Sequence, residues 1–199
     1  IGPTIVQRKD LTDSFVNGAF AISICLGATG FILTWIASPW IASFFKEPGA
    51  VNLLRVSSFV LFISGYTTIA LGLLQRELLF RKVAIVNVVS YALGYGLIGC
   101  GLAIVRKDAW AIVAGSLSQN VIIAIILLIL SGKIPRIQFS RKELRSLLSF
   151  SAGVSLTQTF TNFSSYVDNI VVGKFIGTAA LGMYQMAIQI MDLPRRFLG

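Results

Sequence analysis

A chain of 199 residues with 55% hydrophobic and only 13% charged residues is too apolar for an ordinary soluble domain, in which about a quarter of residues carry charge. Its formal net charge is +9, yet the cations fall in short clumps between long uncharged runs, which is the pattern of membrane loops rather than of a nucleic-acid-binding face. There is no histidine, no Gly-Lys-Ser phosphate loop, no paired-cysteine motif and no nucleophile beside a recognisable base, so no catalytic residue, metal site or cofactor is expected and the chain does not read as an enzyme.

Uncharged runs cover residues 14–45, 56–75, 83–105, 109–132, 146–167 and 175–191. Most reach the roughly 20 residues that a helix needs to cross about 30 Å of hydrocarbon, so six spans of an all-α, polytopic transmembrane helix bundle are predicted. Neither Ile1 nor Gly199 resembles a natural terminus, and a piece of a longer chain is expected.

The first span follows Arg8 and Lys9 and meets Pro39 near its far end. A proline removes a backbone donor and clashes with the preceding turn, so a kink or an end is expected there, with the helix proper over 14–38. Cys25 and, in the third span, Cys100 sit inside apolar runs and read as small core residues rather than as a disulfide or metal pair. Arg55 opens the second span. It either extends to phosphate headgroups while its stem stays in the apolar zone, or binds an anionic group of a substrate.

After the fourth span the connection 133–145 is basic and contains Pro135, and it divides four spans (1–132) from two (146–199). Within it, Ser140 followed three residues later by Glu143 fits a capping box, so the fifth helix is expected to start there.

The fifth span differs from the others. Ser151, Ser155, Gln158, Asn162, Ser165 and Asn169 recur at spacings of four and three, which places them on one stripe of a helix, with Thr157, Thr161, Ser164 and Asp168 beside it. Leu156, Phe160, Phe163, Val167 and Ile170 take the opposite side, giving one face for lipid or packing and one for water or polar partners. The small hydroxyl residues serve equally well for close helix packing, whereas Gln158, Asn162 and Asn169 are more polar than close packing requires. Asp168 is an ionisable group inside a span, where it either faces a bundle interior, pairs with a cation such as Lys174, or relays protons.

The sixth span is shorter and lies between Lys174 and Asp192. Gln185, Gln189 and Asp192 follow helical spacing beside Tyr184, forming a second polar stripe, and Pro194, Arg195 and Arg196 close it.

Taking alternate loops together, one side collects Arg8, Lys9, Arg76, Arg81, Lys82, the cations of 133–145, Arg195 and Arg196, while the other holds only Lys46, Arg106, Lys107 and Lys174. The first side is therefore assigned to the cytoplasm. Trp35, Trp40 and Trp110 all lie toward the opposite boundary, where an indole keeps its face in acyl chains and its N–H among headgroups.

The opening QRKDLT (7–12), the helix end GLLQRELLFRKVA (72–84) and VDNIVVGKFIGTAALGMYQMA (167–187) make the chain resemble the polysaccharide and O-antigen flippases. These belong to the superfamily that also holds multidrug/toxin extrusion antiporters and the peptidoglycan-precursor flippase. The resemblance implies a two-lobed fold of twelve or more spans, of which this chain would supply spans three to eight, joined at 133–145. It further implies an inner-membrane transporter that moves a polyprenyl-diphosphate-linked oligosaccharide across the bilayer by alternating access. The implied partners are that lipid-linked substrate, membrane lipids and the polysaccharide polymerase machinery, and no nucleic acid. Gln158, Asn162, Ser165, Asp168, Asn169, Gln185, Gln189 and Arg55 are the candidates for lining the cavity. Two other functions fit six spans and basic loops: a cation-coupled drug or metabolite antiporter, with Asp168 and Asp192 as titrating groups, and a membrane-embedded transferase or polymerase acting on lipid-linked sugars.

Overall fold

The structure, a computed structural model, describes Ile5 and residues 12–131 and 166–198. The linker 133–145 with its Ser140–Glu143 capping box, and all of the fifth predicted span before residue 166, lie outside the described residues. All regular structure among the described residues is helical: α1 (Asp13–Phe44), α2 (Ala50–Arg76), α3 (Phe80–Tyr91), α4 (Cys100–Arg106), α5 (Trp110–Ser131) and α6 (Thr178–Leu198), with π-helical stretches at Ala92–Gly99 and Val172–Ile176. Because α3, the first π stretch and α4 are continuous, four helices are long and apolar enough to cross a bilayer: Ser14–Phe44, Ala50–Arg76, Phe80–Arg106 and Trp110–Leu130. Residues 166–171 are also helical and lead through the second π stretch into α6, which is more strongly two-faced than the others.

The helix ends follow from local chemistry. The Thr12 hydroxyl accepts from the Phe15 amide at 3.3 Å and caps α1. Asp108 accepts from the Trp110 amide at 3.2 Å and starts α5. Each of the three short connections between consecutive membrane-length helices contains one residue in the left-handed region, Lys46 (φ 60°), Leu78 (φ 56°) and Lys107 (φ 53°). That conformation ends a helix and lets the chain turn back within a few residues. None of the three is glycine, so each turn carries a steric cost that packing of the hairpin must offset.

Pro39 does not end α1. The helix continues to Phe44, six residues beyond the expected boundary, because the carbonyl that Pro39 leaves without a donor, that of Trp35, is satisfied by the Ser38 hydroxyl at 2.8 Å.

The packing is that of a bundle whose solvent is apolar. Trp40, Ile104, Val105 and Ile129 are 72–80% exposed, while Ser23, Ser38, Ser58, Thr67 and Ser90 are buried between helices. Lipid offers no hydrophobic drive for helix association, so contact depends on small residues that let backbones approach. A Cβ on Gly65 of α2 would lie 2.7 Å from the Ser23 carbonyl of α1, and one on Gly94 would lie 2.6 Å from the Gln119 backbone of α5. Gly94 belongs to the π stretch, whose wider turn seats it and Gly99 against α5. Cys25 and Cys100 are exposed on helix surfaces, contrary to the core placement expected from their apolar neighbours.

The buried large apolar side chains gather toward one end. Ile5, Phe15, Phe20 and Ile69 form one buried cluster and Leu74, Val83, Val86, Ile123 and Leu127 another. Both lie near the ends of the helices that carry the abundant basic loops, assigned above to the cytoplasm.

Candidate functional site

At the other end of the α1–α2 hairpin sits Arg55. Its Nε–H donates to the Ser38 Oγ at 3.2 Å, and Ser38 in turn donates to the Trp35 carbonyl. The guanidinium carbon lies 5.4 Å from the centroid of the Trp35 ring, in cation–π range. On α2 itself, the Ser58 hydroxyl donates to the Arg55 carbonyl at 2.6 Å. Arg55 is thus half-buried and pinned to α1 through a wholly buried serine. Its Nε is committed, and the two terminal nitrogens provide a fork of N–H groups of the kind that carboxylates and phosphates accept.

Further along the same helix pair, a groove of about 270 Å³ is lined by Ser23, Gly27 and Gly30 on α1 and by Leu61, Ser64 and Thr68 on α2. The Ser64 hydroxyl turns back to the Leu61 carbonyl at 2.7 Å, and the buried Ser23 Oγ has no partner among the described residues. Spacings of three and four between small residues on both helices are the sequence signal for this groove.

The second group of candidates surrounds the break between 166–171 and α6. Asp168 is exposed, and the Tyr184 hydroxyl of α6 reaches its Oδ2 at a long 3.5 Å. Of the readings open for Asp168, pairing with Lys174 is not made: Lys174 instead donates to the Phe44 carbonyl at the end of α1 and lies 4.1 Å from the centroid of the Phe44 ring. Asn169 is partly buried, and its Oδ1 has no partner among the described residues. On α6, Gln185 is half-buried and Gln189 exposed. Gln158, Asn162 and Ser165 lie outside the described residues.

The structure therefore joins the end of the fifth span to α6 through Asp168 and Tyr184, and holds Arg55 on the first hairpin through Ser38 and Trp35. Among the described residues no hydrogen bond links these two groups. Sequence reasoning missed Ser38, whose importance comes from the proline after it, and missed the contact of Lys174 with a residue 130 positions earlier. Among the described residues no cluster of three or more acidic, histidine or cysteine side chains is suited to a metal ion.

Membrane-length helices with apolar exteriors and polar groups at their mutual contacts define a multi-pass α-helical membrane protein, which fits the inner-membrane placement expected from the sequence. The family described as polysaccharide biosynthesis protein matches residues 1–199, and the chain belongs to it. Among its relatives is the teichuronic acid biosynthesis protein TuaB of Bacillus subtilis (strain 168), 27% identical over 97% of this chain and 40% of that protein. The succinoglycan biosynthesis transport protein ExoT of Rhizobium meliloti (strain 1021) is 28% identical over 92% of this chain and 35% of its own length. An uncharacterized membrane protein in the cps region of Klebsiella pneumoniae is 24% identical over 96% of this chain and 40% of that protein. The chain spans about two-fifths of the length of these curated relatives. No solved structure matches it.

Proposed function

We propose that the full-length protein moves a polyprenyl-diphosphate-linked oligosaccharide from the inner to the outer leaflet of the inner membrane, for polysaccharide or lipopolysaccharide assembly. What supports this most is the match of the whole chain to a polysaccharide biosynthesis family with a transport protein among the relatives. A glycan headgroup cannot cross hydrocarbon unaided, because each unpaired hydroxyl costs free energy there, so its carrier must offer polar partners inside the bilayer. In this reading Gln158, Asn162, Ser165, Asn169, Gln185 and Gln189 exchange hydrogen bonds with the sugar, and Arg55 meets the diphosphate with its two terminal nitrogens. The polyprenyl tail stays in lipid beside the apolar helix faces, and the polymerase machinery takes up the delivered glycan. The division at 133–145 separates the two lobes that rock about the cavity.

The exposed carboxylate of Asp168, beside a tyrosine hydroxyl and an amide oxygen of Asn169 that has no partner among the described residues, favours a second reading in which the same fold couples cation entry to efflux of a drug or metabolite. Leaflet-resolved quantification of the lipid-linked oligosaccharide, with and without the full-length gene, separates the readings. Accumulation in the inner leaflet on deletion is the result expected of the flippase. Unchanged pools would point to the antiporter, and disappearance of the lipid-linked product itself would point to an enzyme.

A further inference from the structure

Two tight turns, 130 residues apart in sequence, meet on the side of the bundle assigned to the outer face. One is the α1–α2 turn. Its amides satisfy the carbonyls of Ile41, Ala42 and Ser43, through Phe45, Glu47 and Lys46 respectively. The Phe44 carbonyl, next in line at the negative end of the α1 dipole, accepts from the Lys174 ammonium, and α1 has no basic residue in its own last turn. The other turn is the break at Gly177 (φ 113°), a backbone conformation that suits glycine and separates the π stretch from α6. Around that break Lys174 covers the Phe44 ring, and Thr178, the first residue of α6, donates to Glu47 Oε1 at 3.1 Å. Gly173 leaves room for the Phe45 ring, since a Cβ there would stand 3.0 Å from Phe45 Cε1 and 3.1 Å from Leu181 Cδ2.

We propose that these two turns form a latch that closes the outer side of the transport path and must part for the glycan to leave; this rests on the transport reading given above. The two apolar clusters of the basic-loop end lie within residues 5–127, on one side of the 133–145 division, and do not bridge it. The outer contact consists of exposed polar partners, a single cation–π contact and one ring edge, interactions that are individually weak and can be remade. It also joins residues on opposite sides of the 133–145 division, as a gate between two moving lobes requires.

The test uses the full-length protein with its native cysteines replaced, Glu47→Cys combined with Thr178→Cys, and a protease site inserted within 133–145. Both positions are exposed, so the thiols enter without repacking. The variant is expressed in a strain lacking the gene. On oxidation the two halves are expected to stay joined after proteolysis, polysaccharide export is expected to fall roughly ten-fold or more, and reductant should restore it, which also shows that the variant folds. Crosslinked protein that exports at its reduced rate would overturn the latch and leave the transport reading standing, as would failure of the pair to crosslink. A deletion strain that still exports its polysaccharide would contradict the transport reading and remove the latch with it.

Discussion

Pro39 removes the amide that would serve the Trp35 carbonyl, and Ser38 supplies the proton instead while accepting one from Arg55. Loss of this hydroxyl leaves a part-buried carbonyl and a half-buried cation each short of a partner. Ser38→Ala is therefore expected to destabilise the full-length protein by about 1–3 kcal/mol, read as a lower thermal midpoint in detergent. Adding Pro39→Ala returns a backbone donor to Trp35 and should recover part of the loss; a double variant no more stable than the single one would contradict this assignment. That Pro39 costs the helix a donor was legible in the sequence, but that the helix runs on to Phe44 was not, because a serine before a proline reads as a helix end until its rotamer is known. Arg55→Lys keeps the charge and loses the planar fork. Its expected signature is weaker transport by the folded protein, beyond the fall in thermal midpoint that loss of the Nε–H bond to Ser38 brings, whereas a purely structural arginine would lower the midpoint and leave the transport of the surviving protein intact.

Among the helices, close approach is set by glycines whose absent Cβ atoms are replaced by a neighbour's backbone. Gly65→Ala puts a carbon 2.7 Å from the Ser23 carbonyl, and since neither backbone can yield locally, α1 and α2 must move apart. A loss of about 1–3 kcal/mol is expected. Gly101→Ala in α4 meets nothing within 4 Å and should instead stabilise its helix by about 0.5–1 kcal/mol. Parallel thermal unfolding of the two variants checks the contrast, and equal effects would mean that the helix crossing is not where it is placed here. Helix existence and the first four spans were legible because uninterrupted apolar runs of this length have few alternatives. The π stretch at Ala92–Gly99 was not, since its glycines fit an ordinary membrane helix equally well and the close approach of Gly94 to the Gln119 backbone is a tertiary contact. Asp168 illustrates a related gap: spacing put Lys174 within reach of it, yet the second π stretch and Gly177 send that lysine to α1 and leave Tyr184 as the carboxylate's neighbour.

For the whole molecule, the chain carries two sets of polar groups, one on the first hairpin around Arg55 and Ser38 and one around Asp168 and Tyr184, in a bundle whose buried apolar clusters lie near the basic loops. The chain belongs to a polysaccharide biosynthesis family and spans about two-fifths of its curated relatives' length. Residues 1–199 alone are accordingly expected not to transport, and flipping by this piece in proteoliposomes would contradict that. The most direct test of the central claim is reconstitution of the purified full-length protein into vesicles carrying a fluorescent polyprenyl-diphosphate oligosaccharide in one leaflet, with an impermeant quencher outside. Protein-dependent transfer of the glycan between leaflets, reduced by Arg55→Lys, is the result expected here. Transfer no faster than in protein-free vesicles, with the protein folded, would contradict the claim that this family member is a flippase.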